Sequence, residues 1–212
     1  MIETSTSKLL ASLLQGLDWL YDKAVTGIPA LDSASDLAAH YRLQFPSHDE
    51  AIDALIKWQM AKAGTASFVS SFGGVLSLPV TLPASLASVT YIHVRMIAAI
   101  AHLRGHDLES DAVRTIALAC LCGSRVADVI KDFGIRLGTQ VAHEALKRVS
   151  GDGLKQLNLA IGCRLLAMSG GTASLNVGKL VPVLGGMVSG GVDAAVTRSY
   201  GVAAKRVFLP VV

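Results

Sequence analysis

The sequence predicts an all-α fold, a compact multi-helix bundle with close Gly/Ala-rich packing and a central apolar hairpin, and three observations point there. Hydrophobic residues make up 51% of the 212, but aromatics only 5%, so the apolar content is mostly Ala, Leu and Val, joined by 20 Gly. Small side chains of this kind suit thin, closely approaching helices better than paired strands. Apolar residues recur with a helical period in one segment after another, whereas no useful stretch alternates apolar with polar residues and no repeat of fixed period appears. One hydrophobic core can serve a chain of this length. Residues 1–212 therefore read as one domain, with amphipathic helices in 1–46 packed on a core formed by 47–212.

Taken in order, Leu10, Leu13, Leu14, Leu17, Leu20 and Tyr21 follow the i, i+3, i+4, i+7 rhythm of a helix over Lys8 to Val25, which Gly27-Ile28-Pro29 ends. A second helix starts at Asp32 or Ser33 and runs to Phe45, where Pro46 stops it. Ser47 and Glu50 have capping-box spacing and open a third helix through Trp58 to about Lys62. From Gly64 through Ile92 there is no Asp, Glu, Lys or Arg. That length could cross a bilayer, but Gly73-Gly74, Pro79 and Pro83 divide it, so a buried helical hairpin or a membrane-touching loop fits better than a spanning helix. A helix from Pro83 to Leu103 closes at Gly105. Acidic groups from Asp107 to Asp111 introduce the next helix, which turns Val113, Ile116, Ala117, Cys120 and Leu121 inward and ends near Gly123. Helices follow over Val126–Gly138, Val141–Val149 and Leu154–Met168, with Gly151-Asp152-Gly153 as a turn, and a long helix covers Gly185 to Phe208. The pairs Gly134/Gly138, Gly185/Ser189 and Gly186/Gly190 have the spacing that lets helix backbones touch.

Charged residues make up 17%, against roughly 25% in ordinary soluble domains. They are unevenly placed: residues 1–64 carry 5 basic and 8 acidic groups, and residues 93–212 carry 14 basic and 8 acidic. The basic half suits an anionic lipid surface or an acidic partner as well as plain solvated faces. Its cations are scattered with few aromatics among them, which speaks against nucleic acid. The odd set Cys120, Cys122 and Cys163 lies in apolar small-residue runs and reads as buried, inert thiols in a reducing cytoplasm. No secretory signal is evident at the N-terminus.

Two segments resemble the EcsC family. The first is Phe72-Gly73-Gly74-Val75-Leu76-Ser77-Leu78-Pro79-Val80-Thr81-Leu82-Pro83-Ala84-Ser85-Leu86, followed by Arg95-Met96-Ile97-Ala98-Ala99-Ile100-Ala101, with a glycine break at Gly105. The second is Lys179-Leu180-Val181-Pro182-Val183-Leu184-Gly185-Gly186-Met187-Val188-Ser189-Gly190-Gly191-Val192-Asp193, then Ala203-Ala204 and Phe208. The resemblance spans roughly residues 50–210, and the sequence departs from it at Asp193, where the family often has Asn. It implies the helical fold and a cytoplasmic, membrane-proximal placement, since the family is named after a neighbour of an ABC exporter and has suggested links to secretion. It implies no catalytic set.

The candidate ligand-binding residues are Tyr91, His93, Arg95, Arg125 and Asp128. His93 and Arg95 are the first ionisable groups after the uncharged run and sit with Tyr91 in an otherwise apolar helix; a charge there must reach water, a carboxylate or an anionic head group. The two lie about 200° apart around the helix, and Arg95 either pairs with an acid such as Asp128 or Asp193 or holds an anionic ligand. Arg125, Asp128, Asp132 and Arg136 line one helical stripe, an exposed ion-pair ladder or the charged wall of a pocket. His102 and His106 have an i, i+4 spacing, but Gly105 intervenes and they read as surface or capping residues, with no metal expected. No nucleophile elbow or phosphate loop is present, and no cofactor is expected. These readings lead to a non-enzymatic accessory protein that binds an apolar or amphiphilic ligand or associates peripherally with the membrane. The alternatives are a protein-interaction module, regulatory or immunity-type, docking through the acidic N-terminal helices, and a hydrolase acting through the Arg125–Arg136 stripe or the histidines. The sequence leaves the oligomeric state open.

Overall fold

The computed structural model describes residues 2–29, 31–63, 84–131, 149–168 and 190–211, and apart from one isolated bridge between Ile28 and Leu31 its regular structure is helical. Helix α1 spans Ile2–Thr26 and so begins before the expected Lys8, and its periodic residues Leu13, Leu17, Leu20 and Tyr21 are buried. Helix α2 spans Ala34–Gln44. Its start is fixed by a two-way cap: the Asp36 amide donates to the Ser33 hydroxyl at 3.1 Å and the Ser33 amide donates to the Asp36 carboxylate at 3.3 Å. Helix α3 spans His48–Ala63, and the Glu50 amide donates to Ser47 Oγ at 3.2 Å, as the capping spacing predicts.

Helix α4, Ala84–Leu103, is the axis of the bundle. Every residue from Tyr91 to Ala101 is buried, because α1, α2, α3 and two later helices surround it. A helix buried all round has no face on which to leave a charge. It terminates as the sequence predicts, with Gly105 at φ 85°. Helix α5 spans Asp111–Ala119 and passes into a 3-10 helix, Cys120–Arg125, interrupted at Gly123 (φ 59°, ψ −127°), a conformation open to glycine. Helix α6 follows at Val126–Lys131.

Helix α7 is Gly151–Met168, so Gly151-Asp152-Gly153 forms its first turn rather than a separate one. Ser150 explains the difference: its hydroxyl accepts from the Gly153 amide at 3.2 Å and its carbonyl from the Leu154 amide at 2.9 Å, and this cap outweighs two glycines. Helix α8 spans Gly190–Val207 and packs on α3, on the 3-10 helix and on α4. The expected central hairpin through Pro83, the helix over Val141–Val149 and most of the paired-glycine motifs lie outside the described residues, as do Asp132 and Arg136.

Part of the uneven charge of the sequence is matched between the two halves of the chain. Asp22 pairs with Arg114 at 2.6 Å, Asp49 with Arg104 at 2.8 Å, and Lys205 bridges Asp53 at 2.6 Å and Asp49 at 3.3 Å. Each pair joins an acid of the N-terminal helices to a cation of the second half. Close approach of α8 to α3 depends on Gly201, where a Cβ would stand 2.6 Å from Ile56 Cγ1 and 3.2 Å from Cγ2. Both atoms branch from the Ile56 Cβ and have no free end to swing aside. Gly201→Val should therefore lower stability by about 1–3 kcal/mol through overpacking; urea unfolding, read as a lower midpoint with an unchanged slope, checks this.

Candidate functional site

Of the five candidate residues, three lie in the buried stretch of α4 and two are exposed, Arg125 at the end of the 3-10 helix and Asp128 in α6. Tyr91 and Arg95, four residues apart, share one side of the helix. The Tyr91 hydroxyl donates to the Lys23 carbonyl at 3.4 Å, in the last turn of α1. Arg95, only 5% exposed, donates through Nη1 to the Asp32 carbonyl at 2.9 Å, and its Nε has no hydrogen-bond partner. The expected pairing of Arg95 with Asp128 or Asp193 is not found: the first turn of α2 and the loop before it stand between α4 and solvent here, and a backbone carbonyl meets the guanidinium first. Burial pushes the Arg95 pKa down from its ordinary value, while Tyr91, Asp32 and Tyr41 act in the opposite direction. The charge of Arg95 is also felt by Lys62 in the last turn of α3, whose pKa is lowered first by burial and then by Arg95.

His93 faces away from this pair. Its Nε2 lies 3.0 Å from Thr197 Oγ1, and Thr197 in turn donates to the Asp193 carbonyl at 2.7 Å. With the Thr197 hydrogen committed, the imidazole donates from Nε2. The ring of Tyr200 meets it edge-on at 5.0 Å. His93 thus locks α4 to α8, and burial pushes its pKa down to about 4.

Arg125 and Asp128 are both exposed and stand apart from the α4 group. Arg125 closes the 3-10 helix and lines a hollow of about 330 Å³ over Gly123, which Asp128 does not line. His102 and His106 also diverge. His102 is exposed, whereas His106 is buried rather than at the surface, and donates to the Leu209 carbonyl at 2.8 Å beside Phe208, fastening the segment after α8 to the turn after α4. Cys120 and Cys122 are buried as expected, and burial pushes the Cys122 thiol up to about 12 against the pull of Arg164. Cys163 is exposed instead, because α7 turns Leu157, Ile161 and Leu165 inward and Cys163 falls outside that stripe.

Sequence reasoning passed over a repeated pair. Both tryptophans carry a lysine four residues on: Lys23 lies over Trp19 at 5.9 Å and Lys62 over Trp58 at 5.2 Å. These pairs occupy the ends of α1 and α3, beside the N-terminal half of α4, and Trp58 is 53% exposed. The i, i+4 spacing was visible in the sequence; the shared location was not.

The fold and these sites define a helical bundle that buries an imidazole and a guanidinium in its central helix and carries its Trp–Lys pairs near the ends of α1 and α3. No helix among the described residues is long and apolar enough to cross a membrane. The chain belongs to the EcsC protein family, whose model matches residues 1–209. Neither a curated protein nor a solved structure matches it.

The His93 contact makes stability depend on pH. Its folded pKa of about 4 lies below the ordinary 6.5, so the unfolded chain binds the extra proton between those values. Stability is fully present above pH 6.5 and should fall by roughly 3 kcal/mol as pH drops through that window to 4. Urea unfolding of the wild type and of His93→Gln across this range should show the steeper decline only where the imidazole is present.

Proposed function

We propose that the chain is a non-enzymatic accessory protein that docks peripherally on an anionic membrane surface, at its cytoplasmic face, through the end of the bundle that carries Lys23, Lys62 and Trp58. One observation carries this reading. No Asp, Glu, Lys or Arg occurs between Lys62 and Arg95, and Lys62, in the last turn of α3 over the exposed Trp58, stands directly before that run. An uncharged run that follows a cation and an exposed tryptophan matches a bilayer, whose anionic head groups overlie hydrocarbon. An exposed tryptophan beside a lysine is the side-chain combination that settles at the level of the head groups.

The same pairing of charges that knits the two halves together speaks against an acidic docking face for a protein partner. Asp22, Asp49 and Asp53 are already engaged with Arg114, Arg104 and Lys205.

Co-sedimentation with vesicles of phosphatidylcholine alone and with added phosphatidylglycerol tests the proposal. Binding is expected with the anionic lipid, accompanied by a blue shift of tryptophan emission. Reversing Lys23 and Lys62 to Glu should weaken it by about tenfold or more, at roughly 1 kcal/mol for each cation near the surface and a further loss for each added negative charge. A wild type that ignores both kinds of vesicle sinks the reading.

A further inference from the structure

A second cationic feature lies elsewhere on the molecule. The 330 Å³ hollow over Gly123 adjoins another of about 240 Å³, and the two share Gly123, Ser124 and Ser199 in their walls. Arg125 lines the first, and Arg198 and Arg206, both on α8, line the second. Neither wall contains a carboxylate among the described residues. Among the described residues, no acid lies within ion-pair distance of any of these three arginines. This contrasts with Arg104, Arg114 and Lys205, each of which has an aspartate. Behind Cys122, in the first wall, the Arg164 charge is felt and its buried Nε has no hydrogen-bond partner.

Like charges held around a recess that is partly shielded from water raise the local concentration of anions. Guanidinium forks match the oxygens of phosphate and carboxylate, and the Ser124 and Ser199 hydroxyls add donors at the junction of the two hollows. The kink at Gly123 creates the recess: there the chain turns through a positive φ, and a Cβ would stand 2.5 Å from Ser199 Oγ.

We infer that this cleft binds a small soluble molecule bearing a phosphate or carboxylate group, held by Arg125, Arg198 and Arg206. Its position separates it from the proposed docking end. Thr197 lies level with His93 in the middle of α4, and Lys205 pairs with Asp49 and Asp53 at the start of α3, so the cleft runs along α8 toward the end opposite Lys62. An anion bound there comes from solution rather than from the bilayer on which the other end would rest.

Isothermal titration of the full chain with inorganic phosphate and with glycerol 3-phosphate, at low ionic strength, tests the assignment. Saturable binding at one site is expected. Arg198→Gln and Arg206→Gln should each weaken it by about tenfold, the loss of one charge-assisted contact. Arg42→Gln, which removes an exposed arginine of α2, should leave it unchanged. All three side chains are exposed, and thermal melting at the wild-type temperature confirms that the variants fold. Absence of saturable binding at millimolar phosphate overturns the inference, as does an equal loss in all three variants, which would mark general charge attraction. The Arg198→Gln, Arg206→Gln double variant should still bind anionic vesicles as the wild type does; loss of vesicle binding along with phosphate binding makes the ligand a lipid head group and overturns the assignment to a soluble one. Phosphate binding by a wild type that ignores vesicles leaves this cleft standing while the docking proposal fails.

Discussion

The burial of α4 on every side from Tyr91 to Ala101 governs the architecture. An apolar helix in that position is unremarkable, but one carrying an imidazole and a guanidinium must find each a partner without opening a path to water. The molecule meets the two demands differently. His93 stays neutral and is absorbed into the contact with α8, where Thr197 relays its hydrogen bond to a backbone carbonyl. Arg95 keeps its charge and is placed where α1 and α3 end and a loop carbonyl is within reach. Helix C-termini present the negative end of the backbone dipole, so a cation beside them is better tolerated than in the middle of a core.

Around that axis, acids and cations separated in sequence become neighbours in space. The surplus of acid in the first helices and of base in the later ones is a complementary pair of surfaces within one chain. Two groups of cations outside this pairing cluster in space: arginines around the Gly123 kink, and lysines laid over tryptophans at the ends of α1 and α3. The first set surrounds a recess and the second includes the lysine that precedes the uncharged run, and the two readings of function rest on that division.

Much of the fold was legible because its signals are local. Gly105 stops α4, Ser47 starts α3, and the spacing from Leu13 to Tyr21 marks the inner face of α1, each through geometry within a few residues. The start of α7 was less legible, since two glycines argue for a turn and only Ser150, preceding them, argues for a helix. At the candidate site, the need of His93 and Arg95 for partners could be read directly. The identity of those partners could not, because the Asp32 carbonyl that receives Arg95 belongs to the backbone and leaves no mark in the side-chain sequence. Arg198 and Arg206 look like ordinary surface residues of a helix until the Gly123 kink is placed beside them.

The reliance of α3 on α8 also bears on how the chain is made. Ile56 packs on Gly201, and Asp49 and Asp53 await Lys205, all supplied by a helix that leaves the ribosome long after α3. Until then α3 offers an open apolar flank and unmatched negative charge to whatever surrounds the nascent polypeptide. Assembly of the bundle is therefore tied to late, sequence-distant contacts, the kind that form slowly and leave growing chains most in need of chaperone cover.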